Sequence, residues 1–129
     1  MISLQRITNH QALTTIFGEI PTFVHSEVLD VQLKRDGPTL SIRLLTKELV
    51  RNKPKRWIEW DVVYVELSFF SVQNLTIIDY GTNNTIIQFK VQNTEEEGVL
   101  EIICDNGMAI TCTFDWIRVE KITPGLIGN

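Results

Sequence analysis

"VLEIICDNGMAITCTF", residues 99–114, is two alternating apolar segments on either side of a turn. The register between them decides the fold class. Leu100, Ile102 and Cys104 form one apolar set, and Ile110, Cys112 and Phe114 form the other. A two-residue Asn106-Gly107 loop would set Ile102 against Thr111, mixing core and solvent positions across the pair. A three-residue Asp105-Asn106-Gly107 loop instead pairs Cys104 with Met108, Ile102 with Ile110 and Leu100 with Cys112. The second register keeps each face consistent and keeps the two thiols from facing each other. It predicts an antiparallel hairpin with an apolar inner face and a half-apolar outer one of Val99, Ile103, Ala109, Thr111 and Thr113. That outer face must lie under the N-terminal helix or meet another chain, a homodimer included.

The same period of two recurs outward from the hairpin. "WIRVEKI" reads as one more strand, followed by "TPGLIGN" as a loose tail. "DVVYVELSFFSV" places Val63, Val65, Leu67 and Phe69 on one face and leaves Val62, Tyr64 and Phe70 on the other, the pattern of a central strand covered on both sides. "LTII" and "TIIQFKVQ" add two strands around "DYGTNN". Leu29, Val31 and Leu33 alternate up to "RDGP", from which Leu40, Ile42 and Leu44 return, forming a second hairpin. Near the start, Leu13, Ile16 and Phe17 recur at helical spacing, with Asn9 as cap and Gly18 as a left-handed terminator. The sum is a mainly β chain of about seven or eight antiparallel strands, built as a β-sandwich or a strongly curved sheet. One short N-terminal helix over 9–17 covers part of an apolar face.

A chain of 129 residues is read as one domain over 1–129, able to bury a core without metal or disulfide. No apolar run approaches the length of a membrane helix, and "MISLQRITNHQ" turns polar too early for a signal peptide, so the expected location is cytoplasmic and no membrane is expected as partner. Two cysteines, Cys104 and Cys112, make no zinc spacing and no disulfide framework, and read as reduced core thiols. The net charge of −4 is uneven. Residues 47–56 hold Lys47, Arg51, Lys53, Lys55 and Arg56 against Glu48 alone, whereas from Glu95 to Glu120 there are seven acids and one base, Arg118. Such a surface repels nucleic acid overall and attracts a basic protein.

Motifs for catalysis are missing: no glycine-rich phosphate loop, no G-x-S-x-G and no H-E-x-x-H. His25 and Glu27 sit on one face at the start of a strand, which suits a buried structural pair better than a metal or catalytic site. No cofactor and no metal are expected. "KPKRWIEW" in the long basic loop 46–60 is more informative, because tryptophan is enriched at binding hot spots. Trp57 is expected to be packed and Trp60 partly exposed. The same stretch could stack single-stranded nucleic acid, but one short basic patch on an acidic chain supports that poorly.

The order of "RDGPTLSIRLL" (35–45), "PKRW" (54–57), "VYVELSFFSVQNLTIIDYG" (63–81) and "TCTFDWIRVEKITP" (111–124) resembles the immunity protein 50 family, antidotes encoded beside bacterial polymorphic toxins. The resemblance spans most of the chain after residue 28 and implies a non-enzymatic protein that binds and neutralises a cognate toxin. It carries no contact residues with it. Charge and aromatic content point to Glu59, Trp60 and Asp61 together with the acidic turn Glu95, Glu96 and Glu97 as the partner-binding surface, with Asp105 needed only for its own turn. A different class of function is a small-ligand or carbohydrate-binding β module in which Trp57, Trp60 and Tyr80 stack on the ligand.

Overall fold

In the computed structural model, which describes residues 2–128, one helix, α1 (Gln11–Phe17), precedes eight strands. These are β1 (Glu27–Lys34), β2 (Thr39–Thr46), β3 (Val62–Phe70), β4 (Gln73–Ile78), β5 (Asn84–Asn93), β6 (Gly98–Cys104), β7 (Ala109–Phe114) and β8 (Trp116–Gly125). All pair antiparallel in one sheet of order β4-β7-β6-β5-β1-β2-β3-β8. Among the described residues, strand pairing joins its two halves only where Glu27 and Val28 pair with Thr85 and Asn84. Just Ser71 and Val72 separate β3 from β4, and just Asp115 separates β7 from β8, although these strands stand near opposite ends of the order. Connections that short force the sheet to curl back on itself, so of the two expected arrangements the strongly curved sheet is the observed one, and it does not close into a barrel.

The curl makes the core. Phe69 of β3 and Phe114 of β7 meet edge to face with ring centroids 5.2 Å apart, and Phe23 and Phe89 meet at 5.3 Å. The register of the 99–114 hairpin is the expected one: Ile102 pairs with Ile110 and Leu100 with Cys112. Its turn is closed by the Cys104 N–H donating to the Met108 carbonyl (2.8 Å) and the Gly107 N–H to the Cys104 carbonyl (3.1 Å). Gly107 takes φ +91°, a conformation that a side chain resists. Both thiols are free and buried. Burial pushes the Cys112 thiol up to about 12, and burial with the nearby Asp105 carboxylate pushes Cys104 up to about 11, so neither is a thiolate at neutral pH.

Five local expectations change. Val28, not Leu29, is buried in β1, because a bulge between Val28 and Asp30 shifts the alternation by one residue; beyond it Val31 and Leu33 pair with Ile42 and Leu40, yet Leu33 runs past the core and is 58% exposed. His25 precedes the strand in a left-handed conformation (φ 73°), and no ion pair joins it to Glu27 among the described residues. Asn9 does not cap the helix. Its side chain both accepts from the Val119 N–H (2.8 Å) and donates to the Val119 carbonyl (2.9 Å), covering the outer edge of β8, while Leu13, Ile16 and Phe17 are buried and Gly18 ends the helix as expected. The tail is not loose: β8 runs to Gly125, and the Ile127 and Gly128 N–H groups both donate to the Asp61 carboxylate at 2.9 Å. Finally, β3 is central, between β2 and β8, as expected, but its outer face is covered only in part, with Val62 and Ser68 buried. Tyr64, Glu66 and Phe70 are half-buried there, and arginine side chains cover the rings instead. The helix packs against β8, so it does not cover Val99, Ile103 and Ala109.

Candidate interaction surface

The basic loop between β2 and β3 is tied down from both sides. The Arg51 and Asn52 N–H groups donate to the Ile16 carbonyl at the end of α1 (2.8 and 3.1 Å), and the Asn52 side chain donates to the Thr15 carbonyl. Pro54 starts a turn closed by the Trp57 N–H on its carbonyl (3.0 Å), and the Lys53 ammonium donates to the Trp57 carbonyl (3.0 Å). Trp57 is thereby driven into the core, 1% exposed, and Trp60 packs edge-on against it at 5.5 Å while keeping part of its ring in solvent. Between them Ile58 stands 92% exposed. Glu59 is exposed, but the Asp61 carboxylate is occupied by the tail and its N–H by the Gly125 carbonyl. Beside Trp60 a cleft of about 200 Å³ is bounded by Thr46–Val50 and Asp61–Val63.

The acidic turn lies elsewhere. Thr94 closes it, its N–H and hydroxyl both donating to the Glu97 carbonyl (2.9 and 2.7 Å), which leaves Glu95 and Glu96 in water and Glu97 half-buried. Arg6 reaches across to this turn: Nη2 donates to the Thr94 carbonyl, Nη1 to the Asp115 carbonyl (both 2.9 Å) and Nε to the Asn93 side-chain oxygen (2.6 Å). Because the Asp115 N–H donates to the Phe70 carbonyl, this turn stands at the C-terminal end of β3. Trp60 and Asp61 stand at the N-terminal end, about 26 Å away along a nine-residue strand at the ordinary rise per residue. The structure therefore does not bring Glu59, Trp60 and Asp61 together with Glu95, Glu96 and Glu97.

A family model described as immunity protein 50 matches residues 9–125. The chain belongs to the immunity protein 50 family. The match takes in the helix and all eight strands. No curated protein and no solved structure matches the chain.

In this immunity protein 50 member, the other residues singled out from sequence are dispersed. Tyr80 stands in the β4–β5 turn, apart from the tryptophan loop, with its hydroxyl donating to the Leu29 carbonyl (3.1 Å) and its pKa raised by burial and by Asp30. Trp57, Trp60 and Tyr80 thus form no common stacking platform. His25 lines a cleft of about 330 Å³ with Val24, Ser26 and the Thr46–Leu49 segment, and Glu27 is not part of its wall. Among the described residues no three His, Cys, Asp or Glu side chains are placed to hold a metal ion, and no helix is long and apolar enough to cross a membrane.

Sequence reasoning passed over the outer face of β2, β3 and β8. Opposite charges are paired across it in the row Asp30, Arg43, Glu66, Lys121. Arg43 lies over the Tyr64 ring (4.6 Å), Arg118 over Phe70 (5.0 Å) and Arg6 over Trp116 (5.9 Å). Trp116 pairs with Phe70 across the strands and is 49% exposed. The signal for it was parity: Ile117 and Val119 point inward, so Trp116 and Arg118 must point out.

Proposed function

We propose that this chain, acting as one domain over 1–129, is the antidote of a bacterial polymorphic toxin system: it binds its cognate toxin in the cytoplasm of the cell that makes both and blocks it without catalysing a reaction. The observation that carries this reading is the family match over 9–125. A buried core with unreactive thiols and a broad, preset outer sheet face suits occlusion of a partner. The acidic surface suits capture of a basic toxin by electrostatic steering, nucleases being an example because they must hold phosphate.

Within this reading the turn Glu95, Glu96 and Glu97 supplies the steering field. Glu59, Trp60 and Asp61 are the weaker half of the surface expected from sequence, since Asp61 is occupied and the loop carries Lys47, Arg51, Lys53, Lys55 and Arg56. The test is to express the toxin domain encoded beside this chain's gene, alone and with the chain, in the same host. Growth arrest relieved by the chain, with a stable complex of the two purified proteins, is the expected result. A toxin that arrests growth equally in both cases refutes the reading.

A further inference from the structure

We propose that the toxin is gripped by the outer face of β3 and β8 at its Trp116 end, and that it presents a basic patch there. This rests on the immunity reading and adds to it the surface and the chemistry of the partner. Three observations converge on that end. Trp116 and Phe70 form an aromatic pair across β3 and β8 on the outer face of the sheet, and Trp116 is 49% exposed. The ring is also preset: Arg6 lies over it while all three nitrogen groups of its guanidinium donate to Asn93, Thr94 and Asp115. A side chain already held in place loses little freedom on binding, which is what makes an anchor effective. The third observation sets the sign of the partner. Glu95, Glu96 and Glu97 follow directly on Thr94, and Asp115 and Glu120 flank Trp116 and Arg118 in the chain. Against these five carboxylates stand three bases: Arg6, directed at the backbone and Asn93, Arg118, paired with Glu120, and Lys34, exposed at the far end of the row Lys34, Thr39, Phe70, Trp116.

The opposite end of β3 has the reverse balance. Trp60 leans on Trp57 beneath a loop of bases, so a basic partner is repelled where the sequence alone placed the anchor. An aromatic centre within a charged rim is common to both ends, but at the Trp116 end alone is that rim acidic.

The experiment measures association and dissociation of the purified toxin domain encoded beside the gene on the immobilised chain, with Trp116→Ala, Trp60→Ala and the triple Glu95→Lys, Glu96→Lys, Glu97→Lys variant beside the unaltered protein. Trp116→Ala is expected to speed dissociation about 30-fold or more, the triple variant to slow association about tenfold and flatten its salt dependence, and Trp60→Ala to stay within about threefold. Trp116→Thr, which keeps a strand-forming residue at that position, replaces Trp116→Ala if the latter does not fold. A larger loss from Trp60→Ala than from Trp116→Ala, or unchanged association of the triple variant, overturns the surface and leaves the immunity reading standing. Failure of the unaltered chain to bind the toxin domain overturns both.

Discussion

The two ends of β3 carry tryptophans held in opposite ways. At the N-terminal end Trp57 sits in an irregular loop and is core, with Trp60 edge-on above it. At the C-terminal end Trp116 sits in a regular strand and is surface, stacked by a guanidinium. The loop buries Trp57 and leaves Trp60 partly exposed, as expected, whereas the regular strand is the element that presents a tryptophan to solvent. The reason is geometric. A loop anchored to α1 at Ile16 can fold a ring inward, whereas a strand residue has no choice of face once Ile117 is committed to the interior.

The comparison breaks most visibly in stability. Trp57→Ala removes a fully buried ring and leaves a cavity, which costs about 3–5 kcal/mol. Trp116→Ala removes a half-exposed ring and costs about 1 kcal/mol or less. Urea unfolding of the two variants measures both, and equal losses would mean that the loop is no lid on the core.

Gly98 sharpens the contrast at the Trp116 end. A Cβ there would run into the Phe114 ring and come within 2.9 Å of the Arg6 side chain, so Gly98→Ala presses on the core and on the support of Trp116 together. The expected loss is about 1–3 kcal/mol, with a change in tryptophan fluorescence of the folded state as Arg6 shifts. Unchanged fluorescence would show that Arg6 does not hold the Trp116 ring.

Much of this was legible in the chain itself. Period-two alternation locates the strands from Leu40 to Ile117, and the 99–114 register follows from keeping apolar residues opposite one another. What alternation alone does not reveal is where it slips by one residue, so the bulge after Val28 buried Val28 in place of Leu29. Asn9 and Asp61 were beyond local reading for another reason: each side chain bonds backbone more than 60 positions away, at Val119 and at Ile127 and Gly128. The separation of the two halves of the candidate surface has the same origin. Trp60 and Glu95 are each surface features, but only the curl of the sheet determines that Arg6 brings Thr94 beside Trp116 rather than beside Trp60.

Removing the guanidinium tests how the exposed ring is held. Arg6→Ala deletes one cation–π contact and three hydrogen bonds at a solvent-exposed site, and is expected to cost about 1 kcal/mol of stability. Amide exchange at Thr94 and Asp115 should rise relative to that in the tryptophan loop. Equal exchange in both regions would mean that the N-terminal segment does not brace this end.

The smallest effect concerns the core that both ends share. The Cys112 thiol is held at about 12 by burial and Cys104 at about 11, against a value near 9 when the chain is unfolded. Between pH 9 and 11 the unfolded chain therefore loses thiol protons that the folded chain keeps, so stability falls as pH rises. The contribution is fully present below pH 9. From pH 8 to pH 10 Cys112 alone should account for about 1 kcal/mol of the decline. Tyrosines and lysines titrate in the same range, so the measurement is a difference: urea unfolding of the unaltered chain and of Cys112→Ala at both pH values. The variant starts lower because of its cavity but should decline less. Parallel declines would mean that the thiol ionises as readily in the folded chain as in the unfolded one, and that this part of the core admits water.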